Sequence, residues 1–71
     1  MRNPNRLYDF YDQLTQIHKQ SFPDLRFGQL MYNFFSWLQS SKERDCFYIE
    51  ENEMLEYFKE YVNKYSNDKG W

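Results

Sequence analysis

Few residues in this chain could do covalent or acid–base chemistry. His18 is the single imidazole and Cys46 the single thiol, and an activated nucleophile would need both. His18 falls in the middle of an apolar helical stripe, between Leu7 and Tyr11, where a hydrogen-bonded core histidine is expected. Cys46 opens the apolar run Cys46-Phe47-Tyr48-Ile49 and reads as a small buried hydrophobe. Catalysis by this pair is therefore not expected. A structural zinc site wants a full tetrahedral set of Cys and His ligands, and the chain offers one of each. The acids Glu50, Glu51 and Glu53 lack the Asp, Asn and Gly spacing of a calcium loop. The only glycines are Gly28 and Gly70, which leaves no glycine loop for a phosphate. No metal and no cofactor is expected.

Charge adds two further candidate sites. Arg2, Arg6 and Arg26 form a sparse cationic set close to helix starts expected near Pro4 and Asp24, where free N–H groups would favour a nucleotide or small anion. Arg26 has a structural alternative, an ion pair with Asp24 or Glu50. Glu53, Glu56 and Glu60 share the polar side of the last helix. They are either a solvated face or an acidic mimic of nucleic acid, which would make the chain an inhibitor or adaptor of a nucleic-acid-processing protein. The net charge of −2 speaks against direct nucleic-acid binding.

The strongest compositional signal is aromatic. Seven Phe, seven Tyr and two Trp stand in 71 residues, whereas a chain of this size buries only about 60% of its unfolded surface. A small bundle cannot enclose every ring, and exposed Tyr and Trp are the residues that carry energy at interfaces. Tyr32, Trp37, Phe47, Tyr48 and Tyr57 are the expected contact surface. A second copy of the chain is the simplest partner, since a homo-oligomer would enlarge an undersized core; another protein is the alternative.

Three helices should position these residues, giving an all-α, compact single domain over 1–71 with a short extended segment before the last helix. Asn3-Pro4 reads as a cap followed by Pro at the first helical position, opening a helix over about 4–20. Its face carries Leu7, Phe10, Tyr11, Leu14, Ile17 and His18, and Asp9, Asp12, Gln16, Lys19 and Gln20 face away. Phe22-Pro23-Asp24 breaks the helix and offers Asp24 as the next cap.

The second helix, about 25–40, carries Phe27, Leu30, Met31, Phe34, Phe35, Trp37 and Leu38 on a stripe roughly 160° wide. Such a stripe predicts the central helix. Gly28 at its edge predicts close packing of a neighbouring backbone, or else a relaxed helix start or an approaching ligand. The β-favouring run at 46–49 predicts an extended segment that plugs the core or pairs with its copy in a second subunit. The third helix, about 51–65, presents Met54, Leu55, Phe58, Tyr61, Val62 and Tyr65 on one face, with acids in its first turn and a Glu60–Lys64 pair on the other. Residues 66–71 read as a flexible tail. No apolar run reaches the ~20 residues that span a bilayer. The opening residues lack the apolar core of a signal peptide. With a single cysteine, the expected setting is soluble and cytoplasmic.

Three blocks carry a resemblance: Arg2-Asn3-Pro4-Asn5-Arg6-Leu7, Pro23-Asp24-Leu25-Arg26-Phe27-Gly28-Gln29-Leu30, and Asp45-Cys46-Phe47-Tyr48-Ile49-Glu50-Glu51-Asn52-Glu53. The chain resembles a group of short uncharacterised bacterial and prophage proteins that carry these blocks in this order, over most of residues 2–58. The resemblance implies no particular activity. Such proteins often have a Trp near the end of the first helix, where this chain has Ile17-His18.

Overall fold

Local chemistry at the breaks sets where each helix begins. In the computed structural model, which describes residues 2–66, the order is α1 (Arg6–Ser21), α2 (Phe27–Ser41), one turn of 3₁₀ helix (Cys46–Tyr48) and α3 (Glu51–Tyr65). This is the expected all-α three-helix domain. The Asn3-Pro4 signal starts the first helix by way of a tighter turn. The Asn5 N–H donates to Asn3 Oδ1 at 2.9 Å. The N–H groups of Arg6 and Leu7 donate to the carbonyls of Asn3 and Pro4 at 3.2 and 3.1 Å. This i→i+3 spacing is tighter than an α-turn, so the α-helix proper begins at Arg6.

Asp24 does not cap α2. The Phe22 carbonyl accepts from Leu25 N–H, and the Arg26 N–H is taken by Gln29 Oε1 at 2.8 Å, one half of a capping box. The helix accordingly starts at Phe27.

Two ties show that α1 and α3 run parallel. Arg6 Nε donates to Glu51 Oε1 at 2.9 Å where both helices begin, and Ser66 Oγ donates to the Ser21 carbonyl at 3.5 Å where both end. Helix α2 joins α3 around a single stack, in which the rings of Phe34 and Phe58 lie 3.7 Å apart and 14° from parallel. Leu30, Phe34 and Leu38 are fully buried there, joined by Trp37, Tyr61 and Val62. The third helix, not the second, is thus the shared element on which both others pack. The second helix is the most deeply apolar, yet the first has no buried residue. Leu14 and Ile17 reach the core only in part, and Tyr11, expected on the inner face, stays exposed.

The run before α3 differs from the expected strand-like plug. Asp45, Ile49 and Glu50 are extended, but between them the chain coils once. Asp45 Oδ1 accepts from Phe47 N–H at 3.0 Å and the Asp45 carbonyl from Tyr48 N–H at 3.1 Å. A side-chain acceptor placed just ahead of the run outweighs its β preference. Ile49 is buried in the core and Cys46 packs against it in part, while Phe47 and Tyr48 are turned out. The coil leaves no strand edge to pair with a second copy.

Chain reversal after α2 goes through Glu43, whose φ of 54° is the left-handed conformation usually left to Gly or Asn. On either side of it, Lys42 and Arg44 both donate their N–H to the Leu38 carbonyl, at 3.0 and 3.2 Å. Residues 67–71, including Trp71, lie outside the described residues. Among the described residues, no helix is long and apolar enough to cross a membrane.

Candidate interaction surface

The five aromatic residues expected at a contact surface divide into three groups. Tyr32, Phe47 and Tyr48 are exposed at 75%, 79% and 74%, and the rings of Phe47 and Tyr48 meet edge to face at 4.9 Å. Trp37 is the correction: it is only 6% exposed. It lies in the core beside Phe34, Tyr61 and Tyr65, with centroids 6.0, 5.3 and 6.5 Å away. A helical wheel puts Trp37 at the edge of the stripe, and only the position of α3 turns that edge inward. Tyr57 is half-buried, its hydroxyl accepting from Arg44 Nη1 at 2.9 Å.

Arg44 is the residue that the sequence did not single out. It emerges from the polar 40–45 loop to grip Glu53 through both terminal nitrogens, at 2.7 and 3.1 Å, with its guanidinium carbon 5.6 Å from the Tyr57 ring centre. The hydrogen bond to Glu53 raises the Arg44 pKa further, and the same bond holds the Glu53 carboxyl below its ordinary range. This fork pins the loop to α3 and so sets the position of the 3₁₀ turn. No spacing rule marks the pair, because its partners lie on different elements.

Two residues read as core or packing points belong to the outer surface. Phe27 is 63% exposed although it lies on the apolar stripe of α2. Gly28 has nothing within 4 Å of where a Cβ would stand, so no neighbouring backbone within the chain explains it. Stepping 100° per residue, Gly28, Tyr32, Phe35, Ser36 and Gln39 share one side of α2. Four of these, Tyr32, Phe35, Ser36 and Gln39, line a hollow of about 260 Å³ with Arg44, Asp45 and Cys46. The aromatic side of α2 and the 3₁₀ turn thus form one surface.

The other candidate sites do not assemble. Arg2 pairs with Glu50 and Arg6 with Glu51. Arg26 stands beyond the far end of α1, about 22 Å along its axis at 1.5 Å per residue, and makes no ion pair with Asp24 or Glu50 among the described residues. The Arg6 hydrogen bond draws the Glu51 carboxyl below its usual range. The acidic row is neutralised: Glu53 by Arg44, Glu56 by Lys59 at 3.6 Å, and Glu60 by Lys42 rather than the expected Lys64. The His18 Nε2 donates to the Leu25 carbonyl at 2.7 Å, so this half-buried histidine ties α1 to the segment ahead of α2. Cys46 is half-buried and lines a different hollow from His18, so thiol and imidazole are not brought together. Among the described residues no cluster of His, Cys, Asp and Glu could hold a metal ion.

Two open grooves, of about 530 and 460 Å³, follow the α1–α3 pair with Ile17 and Val62 in one and Phe10 and Leu55 in the other. Their rims are largely amides and paired charges. They lack the exposed rings of the α2 surface. Comparison with protein-family models, with curated proteins and with solved structures finds no match.

Proposed function

We propose that this protein is a small non-catalytic interaction module whose working surface is Tyr32, Phe47 and Tyr48, and that the first partner of this surface is a second copy of the chain. The observation that carries the reading is the exposure of three rings, each at least 74% open, on two adjoining segments. Leaving such rings in water forgoes about 1.5–3 kcal/mol for a fully buried Phe-sized side chain, a large omission in a domain with so little core to spare. Clustered aromatic anchors of this kind are where binding energy concentrates. The free thiol of Cys46 suits a reducing compartment such as the cytoplasm.

Neither alternative gains support of this kind. The three acids that would mimic nucleic acid each have a cation partner, and the three arginines that would hold an anion are divided between two ends of the molecule.

Sedimentation equilibrium over a concentration series tests the proposal. The wild-type chain is expected to pass from monomer to dimer as concentration rises, and a Tyr32→Ser, Phe47→Ser, Tyr48→Ser triple variant to remain monomeric with unchanged far-UV circular dichroism. A wild-type chain that stays monomeric at millimolar concentration would remove the self-association reading.

A further inference from the structure

A surface that docks on its own copy must be complementary to itself, because a two-fold axis brings the same patch to both sides. The charges at the two ends of α2 offer one such complement. Arg2, Arg6 and Arg44 are each committed to an acid within the chain, whereas Arg26, exposed at the start of α2, forms no ion pair among the described residues. Past the other end of α2, Glu43 and Asp45 are exposed acids that form none either, and they adjoin the outward rings of Phe47 and Tyr48. Between the two ends lies the side of α2 bearing Gly28, Tyr32 and Phe35. At Gly28 that side is open, with nothing within 4 Å of a built Cβ.

Resting on the reading of this surface as a docking site, we infer that two copies pack antiparallel through α2. The axis crosses the middle of the helix, so that Arg26 of each copy meets Asp45 and the Phe47–Tyr48 pair of the other. An arginine over such rings gains from the carboxylate and the ring faces together. Gly28 lies on the packed side of α2, where the missing side chain lets the second copy approach closely. That use accounts for a glycine held near a helix start at the expense of helix propensity.

The test is the dimer dissociation constant of the full chain by sedimentation equilibrium. Arg26→Gln and Asp45→Asn should each weaken association about fivefold, since an isologous dimer loses two rim pairs at once. The double variant should be no weaker than Arg26→Gln alone. Asn keeps the oxygen that accepts from Phe47 N–H, so the 3₁₀ turn survives the substitution. Gly28→Gln, a good helix former on an open surface, should leave the fold intact and weaken the dimer about tenfold by crowding the packed side of α2. A wild-type dimer broken by the Tyr32, Phe47, Tyr48 triple variant but indifferent to Arg26→Gln, Asp45→Asn and Gly28→Gln overturns this arrangement and leaves the docking surface standing. A chain that never dimerises overturns both.

Discussion

Trp37→Phe separates the core role of this residue from the interface role that its place on the helical wheel suggests. The indole is buried in the ring cluster, and its Nε1 is a buried donor with no hydrogen-bond partner among the described residues. Replacing indole by phenyl removes apolar contact equivalent to about two CH₂ groups, which costs about 1.5 kcal/mol. It also weakens the contact with the Lys42 ammonium, 5.7 Å from the ring centre, by about 0.5 kcal/mol. Against this, the unsatisfied N–H disappears, recovering about 1–3 kcal/mol. The sum is close to zero. Urea unfolding followed by far-UV circular dichroism should place Trp37→Phe within about 1 kcal/mol of wild type, which corresponds to a midpoint temperature within about 4–8 °C for a domain of this size. Trp37→Ala, which leaves a cavity as well, should lose about 3–5 kcal/mol. A Trp37→Phe variant as damaged as Trp37→Ala would show that the indole N–H is bonded in solution, and the reasoning from an orphaned donor would fail.

The backbone at Glu43 offers a second test. A left-handed conformation costs a non-glycine residue about 1–2 kcal/mol, partly offset by the greater unfolded-state freedom of Gly. Glu43→Gly should therefore raise stability by about 0.5–1 kcal/mol in thermal unfolding, and a loss would mean that the Glu43 side chain holds the loop. Acid sensitivity supplies the third. The carboxyls of Glu51 and Glu53 are held below their ordinary range by hydrogen bonds from Arg6 and Arg44. Their stabilising effect is thus full above the unfolded-state value and is lost as pH falls through the depressed folded one. The urea midpoint should therefore hold above about pH 5 and fall as pH drops below it. The Glu51→Gln, Glu53→Gln double variant should show a flatter fall, and an unchanged slope would assign the acid response to other groups.

How much of this could be seen in the residues varies by position. The three helices follow from apolar residues spaced by three and four, from Asn3-Pro4, and from the Phe22-Pro23 break, all of which act within a few residues. The coil at 46–48 is not legible in the β preference of Phe, Tyr and Ile, because the Asp45 side chain that reaches Phe47 N–H decides it. The acid row on α3 was legible as a row, but its neutralisation by Lys42 and Arg44 was not, because both cations come from the loop after α2. Trp37 and Phe27 exchanged roles for a related reason. Both are on the α2 stripe, and the wheel does not say which part of a wide stripe a neighbour will cover.

Composition and periodicity alone determined that the chain is helical, that its core is aromatic, and that it has more rings than it can hide. Those properties are local or additive, set by each segment's spacing and by the count of side chains against the volume available. Which rings were left outside was decided by the tertiary structure. The Phe34–Phe58 stack and the Arg44–Glu53 fork fix where α3 lies against α2 and where the 3₁₀ turn projects. Contacts between residues far apart in the chain depend on the relative placement of whole elements, and no short window of sequence carries that information.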